Sequence, residues 1–77
     1  MNQPNRVVLY TRYDCGYSDR IKSDLEKDGI DYQEIDVAMK PEFVVDLLKL
    51  TDGERIVPVL VRDNTVSIGH NGIGCTF

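Results

Sequence analysis

Residues 10–21 read YTRYDCGYSDRI, and the reading of Cys15 within them decides the fold. A cysteine at position 18 would complete the Cys-x-x-Cys spacing of a dithiol pair, but Ser18 stands there. Upstream, the run Arg6–Tyr10 (RVVLY) is apolar and β-branched, as a buried strand is. Downstream, Tyr17, Ile21 and Leu25 recur every fourth residue, which places them on one face of a helix over 16–28. Gly29 suits the left-handed residue that closes such a helix. Cys15 therefore falls between a strand end and a helix start. Free N–H groups and the positive end of the helix dipole at that place favour a thiolate, which lowers the pKa of a cysteine and makes it nucleophilic. Arg12 adds positive charge, whereas Asp14 opposes it unless its carboxylate turns away to cap the helix. The competing reading is a small, inert, buried cysteine.

The rest of the chain extends this unit. YQEIDV (32–37) alternates as a strand does, Pro41 suits a first helical turn, and Phe43, Val44, Leu47 and Leu48 follow helical spacing up to Gly53. IVPVLV (56–61) is strand-like around Pro58. RDNT follows as a turn in which Asp63 and Asn64 tolerate positive φ, and Val66–Ile68 forms the return strand. The tail GHNGIGCTF has no helical pattern. The order β-α-β-α-β-β implies a parallel first pair joined by a right-handed crossover and a hairpin at the end. A chain of 77 residues has room for one domain, 1–77.

Composition excludes several functions. A net charge of −4 with scattered basic residues disfavours nucleic acid as a partner. No apolar run reaches the ~20 residues of a membrane span, and the polar opening MNQPNR is not expected to be a secretory signal. Two cysteines and one histidine in no zinc spacing predict no metal site, and the default expectation is a soluble cytoplasmic monomer.

The segment VVLYTRYDCGYS resembles the active-site strand and loop of glutaredoxins, and LLKLTDGERIVPVLVRDNTVSIGH resembles the second half of that family. Arg55-Ile56-Val57-Pro58 matches its Arg-Thr-Val-Pro element, and Gly69-His70 its Gly-Gly element. The resemblance implies a thioredoxin fold with a four-stranded mixed sheet and the usual C-terminal helix short or absent. It implies a cis Val57–Pro58 bond facing Cys15, with the Val57 backbone exposed to pair with an extended peptide such as glutathione.

The same resemblance implies a thiol–disulfide oxidoreductase in which Cys15 attacks a glutathione mixed disulfide or a protein disulfide, and a second glutathione frees the enzyme. Arg12 would meet a glutathione carboxylate, and Tyr17 would line the groove or simply close the core edge. Val57, Pro58, Gly69 and His70 would complete the site, with His70 also readable as a plain surface residue. Ser18 would either hydrogen-bond the thiolate or favour the helix start. The acidic residue that family members place after Gly-Gly is missing here, where Gly72 and Ile73 stand. Cys75 is either a distant resolving thiol or a small buried residue. Two other functions compete. CGYS is one residue from the Cys-Gly-Phe-Ser of monothiol glutaredoxins that hold a [2Fe–2S] cluster, though the Trp-Pro element of that branch is absent. A thioredoxin-fold adaptor without turnover is the other.

Overall fold

The structure, a computed structural model, describes residues 7–63 and 65–77. The readings made of the MNQPNR opening, of Arg6 and of Asn64 lie outside those residues. Strand β1 (Val7–Thr11) is followed by α1 (Gly16–Lys27), β2 (Gln33–Asp36), a 3-10 turn (Pro41–Phe43) and α2 (Val44–Leu50). Four further strands follow: β3 (Ile56–Val57), β4 (Val59–Arg62), β5 (Thr65–Ile68) and β6 (Cys75–Thr76).

The main sheet has the order β2-β1-β4-β5. The apolar run 7–11 earns β1 an inner place there, because a strand covered on both faces needs no polar alternation. β1 is parallel to β2, with Tyr10 opposite Ile35, and antiparallel to β4, with Tyr10 opposite Val59. Successive β1 side chains point to opposite faces. Leu9 packs with Ile21 and Leu25 of α1 on one face. Tyr10 packs with Ile35, Val37, Leu47 of α2, Val57 and Val59 on the other. Helix α1 ends as expected: Gly29 has φ 71°, its N–H bonds the Glu26 carbonyl, and Ile30 N–H bonds that of Leu25. That pair of bonds satisfies carbonyls the helix end leaves open, while Ile30 packs onto the Leu25 cluster. No described helix is long and apolar enough to cross a membrane.

Two expectations need correction, and the tail holds a turn that no expectation covered. The run 56–61 is not one strand, because Pro58 has no N–H to give a ladder. The chain divides there, so that β4 joins β1 while β3 leaves the main sheet and pairs with β6. Asn71 and Gly72 both adopt positive φ (55° and 81°), and His70 and Ile73 exchange backbone hydrogen bonds of 2.7 and 3.1 Å across them. This is the Asn-Gly turn that suits a tight hairpin, and it sends the chain back alongside β3. The backbone of Val57 is therefore not open: Val57 is fully buried and stands opposite Cys75 in the β3–β6 pair.

Candidate active site

Cys15 occupies the N-cap of α1 in extended conformation (φ −113°, ψ 114°) and is 1% exposed. Its amide donates to the Arg12 carbonyl at 3.2 Å, which closes the loop between β1 and α1. The N–H groups of the first helical turn point toward the cap position, where they and the dipole favour an anion on sulfur. The Val57–Pro58 bond is cis, as the family resemblance implied, and the Val57 carbonyl oxygen lies 3.8 Å from Cys15 Sγ. This is a packing contact and not a hydrogen bond, since Cys15 carries no proton: its sulfur is bonded to that of Cys75. The disulfide joins residues 60 apart in sequence, with Cα atoms 6.0 Å apart.

Ser18 is fully buried in the first turn of α1, and its Oγ has no hydrogen-bond partner among the described residues. A buried hydroxyl without a partner is costly, and the disulfide form gives it no acceptor among the described residues. A Cys15 thiolate would be a strong one. Replacing Ser18 by Ala is therefore expected to leave the disulfide form as stable as before, within about 1 kcal/mol. In the reduced chain the same change is expected to move the pH midpoint of Cys15 alkylation upward. Parallel urea titrations and alkylation-rate profiles check both halves; an unmoved midpoint would leave Ser18 as helix packing alone.

Arg12 does not stand free to meet a carboxylate ligand. Its Nε pairs with Asp14 at 3.3 Å, and its guanidinium lies over the Phe77 ring, 5.1 Å from the centroid. Among the described residues Asp14 is engaged by Arg12, and the N-cap of α1 carries no side-chain cap hydrogen bond. Arg55, at the start of β3, lies over the same ring at 4.8 Å and donates from Nε to the Phe77 carbonyl at 2.8 Å, while Phe77 N–H donates to the Arg55 carbonyl. Tyr17 is half-buried against the cluster containing Cys15, with Arg20 over its ring. The buried Gly69 donates to the Pro58 carbonyl at 2.7 Å. His70 turns its ring from the site, Nε2 meeting Asp24 Oδ2 of α1 at 2.7 Å. Burial, and next the Asp46 carboxylate, hold the Tyr10 phenol above its ordinary value, so it stays neutral behind the site.

Cys15, Ser18, Val57, Pro58 and Cys75 thus converge, with Arg12 and Tyr17 at the margin and His70 outside. The parts that the sequence reading did not identify belong to the tail and its seat: Gly74, Phe77, the Asn71-Gly72 turn and the contact of Arg55 with Phe77, although Arg55 was quoted in the Arg-Thr-Val-Pro match and the Asn-Gly pair is a turn signal. A Cβ on Gly74 would collide with the Val57 carbonyl and crowd the Ile56 side chain. Gly74→Val is therefore expected to displace β6 and prevent most of the disulfide from forming. Thiol titration of the air-oxidised protein checks this, with two free thiols per chain expected against none in the parent.

A strand, a cysteine at a helix start and a cis-proline opposite it are the arrangement of a thioredoxin fold at its cysteine-bearing end. The fold matches a glutaredoxin from Archaeoglobus fulgidus with TM-score 0.77 at 21% identity, over 87% of this chain and 77% of that one. It also matches the glutaredoxin-like NrdH-redoxin of Escherichia coli, whose structure is described as explaining a thioredoxin-like activity profile. There the TM-score is 0.72 at 31% identity, over 84% of this chain and 83% of that one.

The glutaredoxin family model matches residues 7–66, and the chain belongs to the glutaredoxin family of thiol oxidoreductases. Among curated relatives it is 36% identical over 67 residues to a probable monothiol glutaredoxin 2 of Rickettsia felis. It is 33% identical over 60 residues to an N-acetyl-S-hydroxy-L-cysteine reductase of Bacillus subtilis. These matches cover 80% and 78% of this chain, and 64% and 63% of the relatives' own lengths.

Proposed function

We propose that this chain reduces disulfides with two of its own cysteines, Cys15 as nucleophile and Cys75 as resolving thiol. The observation that carries the reading is the Cys15–Cys75 bond, made by a strand lying on the Val57 edge. In the reduced chain the Cys15 thiolate, favoured by the helix start, attacks one sulfur of a substrate disulfide. The substrate S–S bond breaks, one thiolate leaves, and Cys15 holds the other half as a mixed disulfide. The Cys75 thiolate then attacks Cys15 Sγ and releases the second substrate thiolate. The substrate gains two electrons and the chain is left with its internal disulfide, which an external dithiol reduces again. The thioredoxin-like profile ascribed to NrdH-redoxin supports this dithiol cycle over one resolved by glutathione.

Glutathione fits the disulfide form poorly, because Cys75 holds the Val57 edge and the carboxylate expected after Gly69-His70 is missing. A [2Fe–2S] cluster also finds no free cysteine thiolate in this form, since both sulfurs are bonded to each other. The test is single-turnover reduction of a small mixed disulfide by reduced protein. The native chain is expected to release both substrate thiols without added glutathione, and Cys75→Ser to stop at a stable Cys15 adduct. Native-like turnover of Cys75→Ser that depends on glutathione would replace this cycle by a monothiol one.

A further inference from the structure

The tail that closes the site also describes what the site accepts. Segment 74–77, Gly-Cys-Thr-Phe, lies extended and antiparallel to β3, with Cys75 opposite Val57 and Thr76 opposite Ile56. Each position meets a different demand. Gly74 has no room for a side chain against Val57 and Ile56. Cys75 supplies the sulfur that bonds Cys15. The Thr76 side is exposed and unselected. The Phe77 ring receives two guanidinium groups, while its backbone is held by Arg55 in both directions. Asp14 holds Arg12 in place for that contact. An open groove of about 400 Å³ adjoins the ring along Gly53, Glu54, Arg55 and Ile56, so a longer segment has space there.

From this we infer that Arg12 and Arg55 form a seat for an aromatic ring two residues after a partner's reactive cysteine. The preferred substrate is then an extended protein segment of the form Gly-Cys-x-aromatic, and the chain's own tail holds that place in the disulfide form. The inference rests on the two-cysteine cycle proposed above and gives it a substrate class. Glutathione ends one residue after its cysteine and offers no ring to the seat. The cycle also acquires a release step. Cys15 attacks the partner's cysteine sulfur and expels its disulfide mate as a thiolate. When Cys75 attacks Cys15 in turn, Phe77 takes the seat from the partner's ring as the partner thiolate departs.

Two measurements test the seat without requiring turnover. In the full-length Cys75→Ala, Phe77→Ala double variant, Cys15 is first converted to its mixed disulfide with 2-mercaptoethanol. Equal excesses of acetyl-Gly-Cys-Thr-Phe-amide and acetyl-Gly-Cys-Thr-Ala-amide are then equilibrated with it, and intact mass gives the adduct ratio. Two exposed cation–π contacts predict a roughly tenfold excess of the Phe adduct, lost when Arg12→Ala and Arg55→Ala are added. Equal adducts, or an excess that survives removal of both arginines, would overturn the seat.

In the otherwise native chain, the equilibrium of the Cys15–Cys75 bond with dithiothreitol is the second reading. Phe77→Ala is expected to shift it roughly tenfold toward the dithiol and Phe77→Tyr to leave it native-like. No shift in Phe77→Ala overturns the seat even if the double variant fails to fold. Failure of the two-cysteine cycle itself would be seen separately, as native turnover that survives Cys75→Ser, with the adduct ratio unaffected.

Discussion

Reduction of the Cys15–Cys75 bond is expected to lower the unfolding free energy by about 4 kcal/mol. The bond closes a loop with a sequence separation of 60, and the chain-entropy account gives a loop of that size about 4 kcal/mol. Small domains have few reserves, commonly ~5–15 kcal/mol in all, so a loss of this size is a large part of the total. Reduction also frees β6, whose pairing with β3 is only two residues long on each strand. Urea unfolding with and without a dithiol reductant measures the effect, and Cys75→Ala should reproduce it under oxidising conditions. A difference below about 1 kcal/mol would mean that the tail keeps its place without the covalent bond, or that the unfolded oxidised chain gains little from the constraint.

Cys15→Ser is expected to abolish disulfide reduction, with turnover falling by more than about 10³-fold to the uncatalysed background. The reasoning starts from the position. A group at the α1 N-cap, 1% exposed and beside the free amides of the first turn, is assisted only when it carries negative charge. A thiol is close enough to ionisation at neutral pH for that assistance to matter, whereas an alcohol is not. Serine moreover cannot form the mixed disulfide through which electrons pass. Cys75 is the only other cysteine, and it sits on a tail strand without a helix start to activate it. Thiol release from a mixed disulfide in the presence of a dithiol reductant is the measurement. A rate within tenfold of the native chain would point to Cys75 as the primary nucleophile.

The two halves of the molecule were unequally readable in sequence. The β1–α1 junction was plain because each signal there is local: an apolar run, a repeat of four, and a glycine in the place where a left-handed residue ends a helix. Cys15 could be placed at the helix start on those grounds alone. Of the two readings left open for Asp14 the structure shows neither a cap nor a carboxylate turned on Cys15, but an ion pair with the Arg12 guanidinium two residues away. The division of 56–61 at Pro58 was half visible. The missing N–H was noted, but which strand each half would join depends on a partner far along the chain.

The tail was the hardest part. Three glycines and no helical period point to no element there, whereas Asn71-Gly72 is a turn pair with a physical reason for positive φ. Once that turn is recognised, the chain must reverse, and Cys75 is carried toward β3. That it lands against Cys15 is a long-range fact, set by the place of β3 beside the α1 start, and no spacing in the sequence contains it. The ring contacts of Phe77 are hidden for the same reason, since Arg12 and Arg55 meet only in the folded chain.

The short β3–β6 pair has a bearing on how this protein behaves in company. A strand that loses its neighbour presents a row of unsatisfied N–H and C=O groups, which other chains can extend into a shared sheet. Here Ile56 and Val57 lie in a two-stranded sheet, and among the described residues β6 is their one strand partner. The disulfide form is therefore the one guarded against self-association. Reduction that frees the Cys15 thiol is expected to bare this edge as well, so that a concentrated reduced solution crowds together sooner than an oxidised one.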